Sequence, residues 1–462
     1  MRTHHDPRGL PITGLNPAQI ERYERLLHEL YAYRPGVQAR LDDLLREAPG
    51  FVLGHVLRGY AVMTDGLRSG LPEAQRFLDL SQRLAATANE RERLHIYALK
   101  MWIEGRGAAR LQALEDILAR WPLDVLAYRQ LTAMLFWHGD KRRQLAVAMQ
   151  AIPHWQPSTA GYALTLAPLA FALEEDGRYA LAEDYAQQAL SLNPTDLWAL
   201  HALVHVHEMQ GRASEGEAAI NAVAGKLKEF NLFRGHLWWH LSLFLLSQNK
   251  IDAVLDVFDR EVFPTPSSFY LDLQNAASLL ARLEIQGVDV GDRWDTVAHA
   301  CEQTLGQHLV VFTGPHQVMA LARTGRKQAL AQALQGFNDD GQAGMEQAQT
   351  GSAVAAAVAL YYQGAYRPFL NLMRVMRFEA ASLGASYAQQ DIYFQLMVDA
   401  ALQVDDLPLA RSLLKERLAK HFTDATEWLR YIDMTHRIEQ AHDPKVLRGF
   451  LRAGLLQQPP AC

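Results

Sequence analysis

The segment from Trp198 to Arg212 places His201, His205 and Glu208 at i, i+4 and i+7, so the three side chains project from one helical face. His207 points elsewhere. Glu174 stands 34 residues before Glu208, and downstream His236 and His240 repeat the i, i+4 spacing. Two imidazoles one turn apart, with a carboxylate from a neighbouring helix, can set nitrogen and oxygen donors ~2.0–2.2 Å from one point, as zinc or iron requires. His201, His205 and His240 are the expected ligands, and a divalent metal the expected cofactor. The same groups suit metal-free acid/base catalysis, with His201, His205 and His240 moving protons and Glu208 or Glu174 fixing a tautomer. The plain alternative is a structural network in which the histidines bond one another, a carbonyl or buried water.

Other residues are weaker singly. Asp292 opens a helix as its N-cap, with Arg293 either on a solvated face or holding a ligand anion. His316 reads as a turn histidine or a pocket residue. Tyr387, Gln389 and Asp391 stand at a helix start, where Asp391 favours the dipole or partners a pocket cation. Trp238 and Trp239 suit a core, with Trp239 the expected stacking surface for a ligand. His95, behind the charged run from Glu90 to Arg93, anchors the packing of the N-terminal hairpins. No P-loop, GxSxG, HExxH or strand-linked GxGxxG is present.

These residues must be positioned by helices. Apolar residues recur at helical spacing, as in Leu26, Leu27, Leu30 and Tyr31, and no convincing strand appears. Short punctuators divide the chain, among them Pro49-Gly50, Gly105, Gly139, Gly177, Gly211, Gly287, Gly325 and Gly364. Gly211-Arg212 repeats Gly177-Arg178 at 34 residues, and Ala182, Ala189 and Pro194 follow Gly177 at tetratricopeptide spacing. The small residues allow helix B to cross helix A closely. The expected fold is all-α, a tetratricopeptide-type right-handed superhelix forming one solenoid over 1–462. Hairpins fill 1–155, a consensus-like core spans 156–260, and divergent hairpins run over 261–462, with 265–345 following no measurable consensus. Positions five, nine and twelve of helix A line the concave face, and His201, His205 and Glu208 occupy them.

With 462 residues, 49% hydrophobic and 21% charged, the chain is a folded globular protein rather than a disordered one. A formal charge of −6 argues against nucleic acid as partner. Cys301 and Cys462 are too few for a disulfide framework and fit a reducing cytoplasm. No leader or membrane segment is expected, and the terminal hairpins would permit a homodimer.

The segments Phe171 to Glu175, Trp198 to Arg212, Ala276 to Glu284, Val290 to Trp294 and Leu409 to Arg417 are similar to the tetratricopeptide repeat protein 38 family. Asp6 to Pro11 and Glu92 to His95 fit as well, so the resemblance runs over nearly the whole chain. It implies a helical solenoid closing around an interior. It also adds weight to His201, His205, Glu208, Arg212, His236, His240, Arg282, Arg293 and His316, since the family pattern is polar there. The chain departs from it at Ser386-Tyr387-Ala388-Gln389-Gln390-Asp391, where Tyr387 replaces a histidine and Gln390 an arginine. The expected function is an interior pocket for a small molecule, with metal-assisted or histidine acid/base chemistry and Arg212 or Arg293 holding an anionic group. The alternative is a scaffold binding a peptide or protein on its concave face.

Overall fold

The computed structural model describes residues 3–342, 347–419 and the short stretches 428–429, 431–432 and 435; Cys462 and the end of the 261–462 section lie outside them. The chain is all-α, a tetratricopeptide-type superhelix of stacked hairpins, and among the described residues no helix is long and apolar enough to cross a membrane.

Each hairpin is closed by a residue in the left-handed region just past its first helix. Gly177 (φ 80), Gly211 (φ 68), Gly287 (φ 78), Gly325 (φ 67) and Gly364 (φ 75) take this position, and Asn249 (φ 58) and Asp405 (φ 57) fill it elsewhere. A backbone conformation that favours glycine, and next asparagine or aspartate, ends each A helix and turns the chain into its B helix. The device persists through 265–345, so the repeat survives there although its side-chain consensus does not.

The central A helices are α9 (Ala163–Glu175), α11 (Leu197–Met209), α13 (Arg234–Ser247) and α15 (Tyr270–Ile285). Asp196 caps α11 by accepting from the Trp198 and Ala199 amides. In α10 (Tyr179–Leu192), Ala182, Ala186 and Ala189 are fully buried against α9 and α11, the close approach that small residues permit. Helices α9 and α11 are buried at nearly every position rather than along one stripe. They have a B layer on one side and a filled interior on the other.

That interior is filled by the chain itself. Helix α21 (Tyr387–Gln403) lies against α11 and α15, where Arg282 Nη2 donates to the Ala388 carbonyl at 2.8 Å and the Tyr387 amide donates to Glu175 Oε1 at 3.2 Å. The N-terminal hairpin of α1 (Pro17–Tyr31) and α2 (Val37–Glu47) closes from the other end. Its Tyr33 stacks on Phe233 with centroids 4.4 Å apart, and the Asn231 amide donates to the Tyr33 carbonyl. Further along, the Leu309 amide donates to Gly66 O and the Arg68 amide to Gln307 O. The superhelix therefore bends until separate turns touch.

Two features differ from the sequence expectation. A two-stranded hairpin, β1 (Thr3–His5) with β2 (Pro11–Thr13), precedes the helices, and an isolated bridge joins Leu67 to His308. Both are too short for an alternating pattern to show. His95 does anchor the N-terminal hairpins: its Nε2 lies 3.0 Å from Asp124 Oδ2, which also accepts from Arg91, while the Tyr60 hydroxyl donates to its carbonyl.

A Cβ at Gly384 (φ 79) would stand 2.4 Å from the Trp137 carbonyl oxygen, whereas at Gly177 (φ 80) it would meet nothing within 4 Å. Both Gly→Ala changes carry a positive-φ backbone penalty of ~1–3 kcal/mol, toward the upper end at Gly384, whose ψ of −157 is open essentially to glycine alone; with the Trp137 clash added, Gly384→Ala is expected to cost at least about 2 kcal/mol more. Urea midpoints for the two variants check this, and equal losses would remove the inter-turn contact from the account.

Candidate functional site

Consecutive A helices bring four imidazoles together. His201 and His205 come from α11, His236 and His240 from α13, and one ring nitrogen from each lies within 4.8 Å of the others. All four side chains are buried. His201 Nε2 and His205 Nε2 are 3.0 Å apart, and the His205 and His240 centroids 4.6 Å apart. Oxygens lie near three of the outward nitrogens. His240 Nδ1 lies 2.7 Å from Glu208 Oε2, His236 Nδ1 2.9 Å from Asn275 Oδ1, and His205 Nδ1 3.5 Å from Glu174 Oε2. His201 Nδ1, His205 Nδ1 and His240 Nε2 are buried with no hydrogen-bond partner, as are both oxygens of Glu174.

Burial is the first cause of every shift in this group, because it penalises the charged form. It pushes His236 down to about 3 and holds His201 and His240 well below the usual range, with neighbouring imidazoles adding to the effect. His205 is lowered too, against the opposing pull of Glu208. Burial drives Glu174 up to about 8 and Glu208 to about 7. Near neutral pH the site is thus a set of neutral rings beside carboxyl groups poised to release protons.

A second carboxylate group, Glu174 and Glu175 with His205, adjoins the first. Lys141 is its cation: it pairs with Glu175 and sits 3.2 Å from the Tyr387 ring centroid. Sequence reasoning passed over Lys141 and used Glu175 only as part of a motif; a lysine in a B helix carries no spacing signal toward an A helix one repeat on.

On the opposite side His201 and His236 face a cavity of about 710 Å³. Its wall includes Arg129, Phe136 and Trp137 of α7 (Val125–Trp137), Tyr33 beyond α1, Trp198 and Phe233, and Gln389 of α21. That volume is in the range of small-molecule sites.

The remaining expected site residues separate. Trp239 is wholly buried, its ring parallel to His236 at 5.1 Å and its Nε1 donating to Ser278 Oγ, so it supports the histidines from behind and presents no stacking surface. Arg282 is buried, bonded to the Ser278 and Ala388 carbonyls, and burial lowers it to about 10. It ties α15 to α21. Arg212 bonds Glu183, Glu215 and Gln210 on the outer surface, and Arg293 bonds Asp259. Neither lines the cavity, so the anion-holding role expected of them is corrected: both follow the turn, on the B-helix side. Asp292 precedes α16 (Arg293–Gln303) without a side-chain capping bond. His316 is no surface-turn residue. It is buried with its Nδ1 2.9 Å from the Phe312 carbonyl, outside the four-ring group. Asp391 is forked by Arg417, and the cap of α21 is Ser386, in a capping box with Gln389.

No protein family's sequence profile matches this chain. Among solved structures, a monomeric IFIT1 mutant with Gppp-AAAA is 13% identical at a TM-score of 0.40, over 92% of this chain and 96% of that one. The human IFIT1 dimer with m7Gppp-AAAA is 13% identical at 0.38, over 90% and 94%. Naa15/Naa10 bound to HypK-THB is 12% identical at 0.26, over 96% and 69%. Likenesses this slight carry no argument about the site or its ligand.

The shifts fix a pH profile for the chelator-treated protein. Between the ordinary carboxyl value of 4.5 and about 8 the folded chain holds a proton on Glu174 that the unfolded chain has lost, so stability falls with rising pH. Between about 3 and 6.5 the unfolded chain binds the proton that folded His236 refuses, so stability rises. The lowered histidines set the rise below their ordinary value of 6.5 and the raised Glu174, Glu175 and Glu208 the fall above it, giving an expected maximum near pH 6.5 and a decline toward pH 8. Glu174→Gln is expected to remove most of that decline. Melting temperatures across the range test it, and an unchanged profile in the variant would contradict the raised Glu174 carboxyl.

Proposed function

We propose that this protein is a metal-dependent enzyme acting on a small molecule, with His201, His205, His236 and His240 holding one divalent first-row transition ion at the inner wall of the cavity. The observation that carries the reading is the convergence of four buried neutral imidazoles, two of which, His236 and His240, have their outward nitrogens engaged by oxygens. Metal-bound histidines have this surround, because an acceptor on the far nitrogen fixes the tautomer and strengthens the near one as a donor. A purely structural network leaves His240 Nε2, the nitrogen turned away from Glu208, without a partner, and a central ion would give it one. An all-imidazole set suits zinc, copper, iron or nickel. Such an ion, when bound, supplies Lewis-acid polarisation or an activated water.

The chain's own groups have separate tasks. His201 and His236 present the site to the cavity. Glu208 orients His240, Glu174 lies against His205, and each can take up or release a proton near neutral pH. Trp239, Phe171 and Phe233 pack around the rings and exclude water. A small molecule is favoured over a peptide because α21 occupies the concave face that a peptide would need. The acidic charge favours it over a polyanion.

Membership of the tetratricopeptide repeat protein 38 family is part of this reading, as are a single solenoid and a cytoplasmic setting. Its support is that polar residues carrying the resemblance, His201, His205, Glu208, His236, His240 and Arg282, gather in the interior. The departure at Tyr387 touches Lys141 and Glu175, not the four rings. It removes no ligand.

Protein purified without a histidine tag is expected to carry about one equivalent of transition metal by elemental analysis. His205→Ala and His240→Ala are expected to lose at least nine-tenths of it, while His207→Ala, on the same helix but outside the four-ring group, keeps it. Wild-type protein that stays empty after incubation with zinc, copper(II), iron(II) and nickel and subsequent dialysis would overturn the assignment.

A further inference from the structure

The cavity wall carries a charge its protein neighbours do not match. Arg129 lines it, is 9% exposed, and lies with its guanidinium 4.5 Å above the Tyr31 ring. Its Nη1 reaches the Leu164 carbonyl at 3.4 Å, and its guanidinium lies against the Tyr33 hydroxyl, a neutral partner. Among the described residues no carboxylate lies within ion-pairing distance of it. The acid it influences, Asp196, uses its Oδ1 to accept from the Trp198 and Ala199 amides. The other cavity arginines are matched, Arg34 by Glu229 and Arg58 by Asp42 and Glu73. A buried cation without a partner is costly, and a bidentate anion is the chemistry a guanidinium fork recognises.

The wall also carries aromatic rings, beside polar residues that include Asp42 and Asp65. Tyr33 stacks on Phe233 at 4.4 Å and 18°, and on Trp198 at 6.3 Å and 27°. Trp137 meets Tyr270 edge-on at 5.5 Å. Tyr33 has φ 59, a left-handed conformation costly for a non-glycine residue, and it is held there by these ring contacts and by the Asn231 amide. Flat faces beside a cation that no carboxylate pairs select a flat body with one negative end.

We infer that the ligand of this cavity is an aromatic carboxylic acid larger than a single ring, its carboxylate forked by Arg129 and its ring among Tyr33, Trp198 and Phe233, next to His201 and His236. This rests on the cavity being the ligand site of the proposed function, and it replaces Arg212 and Arg293 with Arg129 as the anion-holding residue.

Calorimetric titration with 2-naphthylacetate and its uncharged amide tests it. Wild-type protein is expected to bind the acid at least tenfold more tightly than the amide. Arg129→Gln is expected to reduce the acid to the affinity of the amide and leave the amide unchanged. Arg129→Lys, which keeps the charge and loses the fork, is expected to fall between. Equal binding of acid and amide, undetectable binding of both at millimolar concentration, or an acid affinity indifferent to Arg129→Gln would each overturn the inference. If Arg129→Gln fails to fold, the acid and amide comparison in the wild type decides. Metal content measured on the same samples separates the two readings: metal-free protein that still prefers the acid refutes the metal centre alone, and metal-loaded protein without that preference refutes the ligand alone.

Discussion

Four imidazoles can share a dry interior only if their nitrogens are told which way to face. In this protein the telling is done by oxygens one layer out: Glu208 on α11 for His240, Asn275 on α15 for His236, and Glu174 on α9 beside His205. Four successive repeats must therefore be in register around the ring nitrogens. The tight turns at Gly177, Gly211 and Asn249 set that register, and the buried alanines of α10 let the layers approach closely enough for a carboxyl on one helix to meet an imidazole on another. Local backbone geometry, packing and electrostatics here serve one constraint.

The second organising fact is that the solenoid consumes its own concave face. Repeat proteins usually leave that face to a partner. Here α21 lies across α11 and α15, and the α1–α2 turn reaches the α13 region from the other end of the chain. What survives is a chamber walled by elements far apart in sequence, with histidines on one wall and aromatic rings on others. Enclosure explains the pKa shifts: the groups that move farthest are those with least access to water, whatever their charge.

Much of this was legible in the sequence. The 34-residue step between two Gly-Arg pairs gave the fold, and the i, i+4 and i+7 spacing in α11 gave three polar residues on one face. The His236 and His240 pair could be placed beside them because adjacent A helices stack. Illegible were contacts that cross the solenoid. Arg129 reads as an ordinary helix charge until the closure brings Tyr33, Trp198 and Phe233 around it, and Lys141 looks like a surface lysine until α21 covers it. Arg212 and Arg293 erred in the opposite direction. Each follows a turn glycine or its equivalent, and a one-dimensional reading cannot tell that such residues join the outer layer and find carboxylates there.

The closure by α21 carries a further consequence for how the chamber comes into being. Gln389, part of its wall, is synthesised about 150 residues after His240, so a chain emerging from the ribosome builds the histidine-bearing hairpins long before anything covers them. Covering of the chamber comes last, with the C-terminal hairpins, so the N-terminal and central hairpins must hold together without it until then.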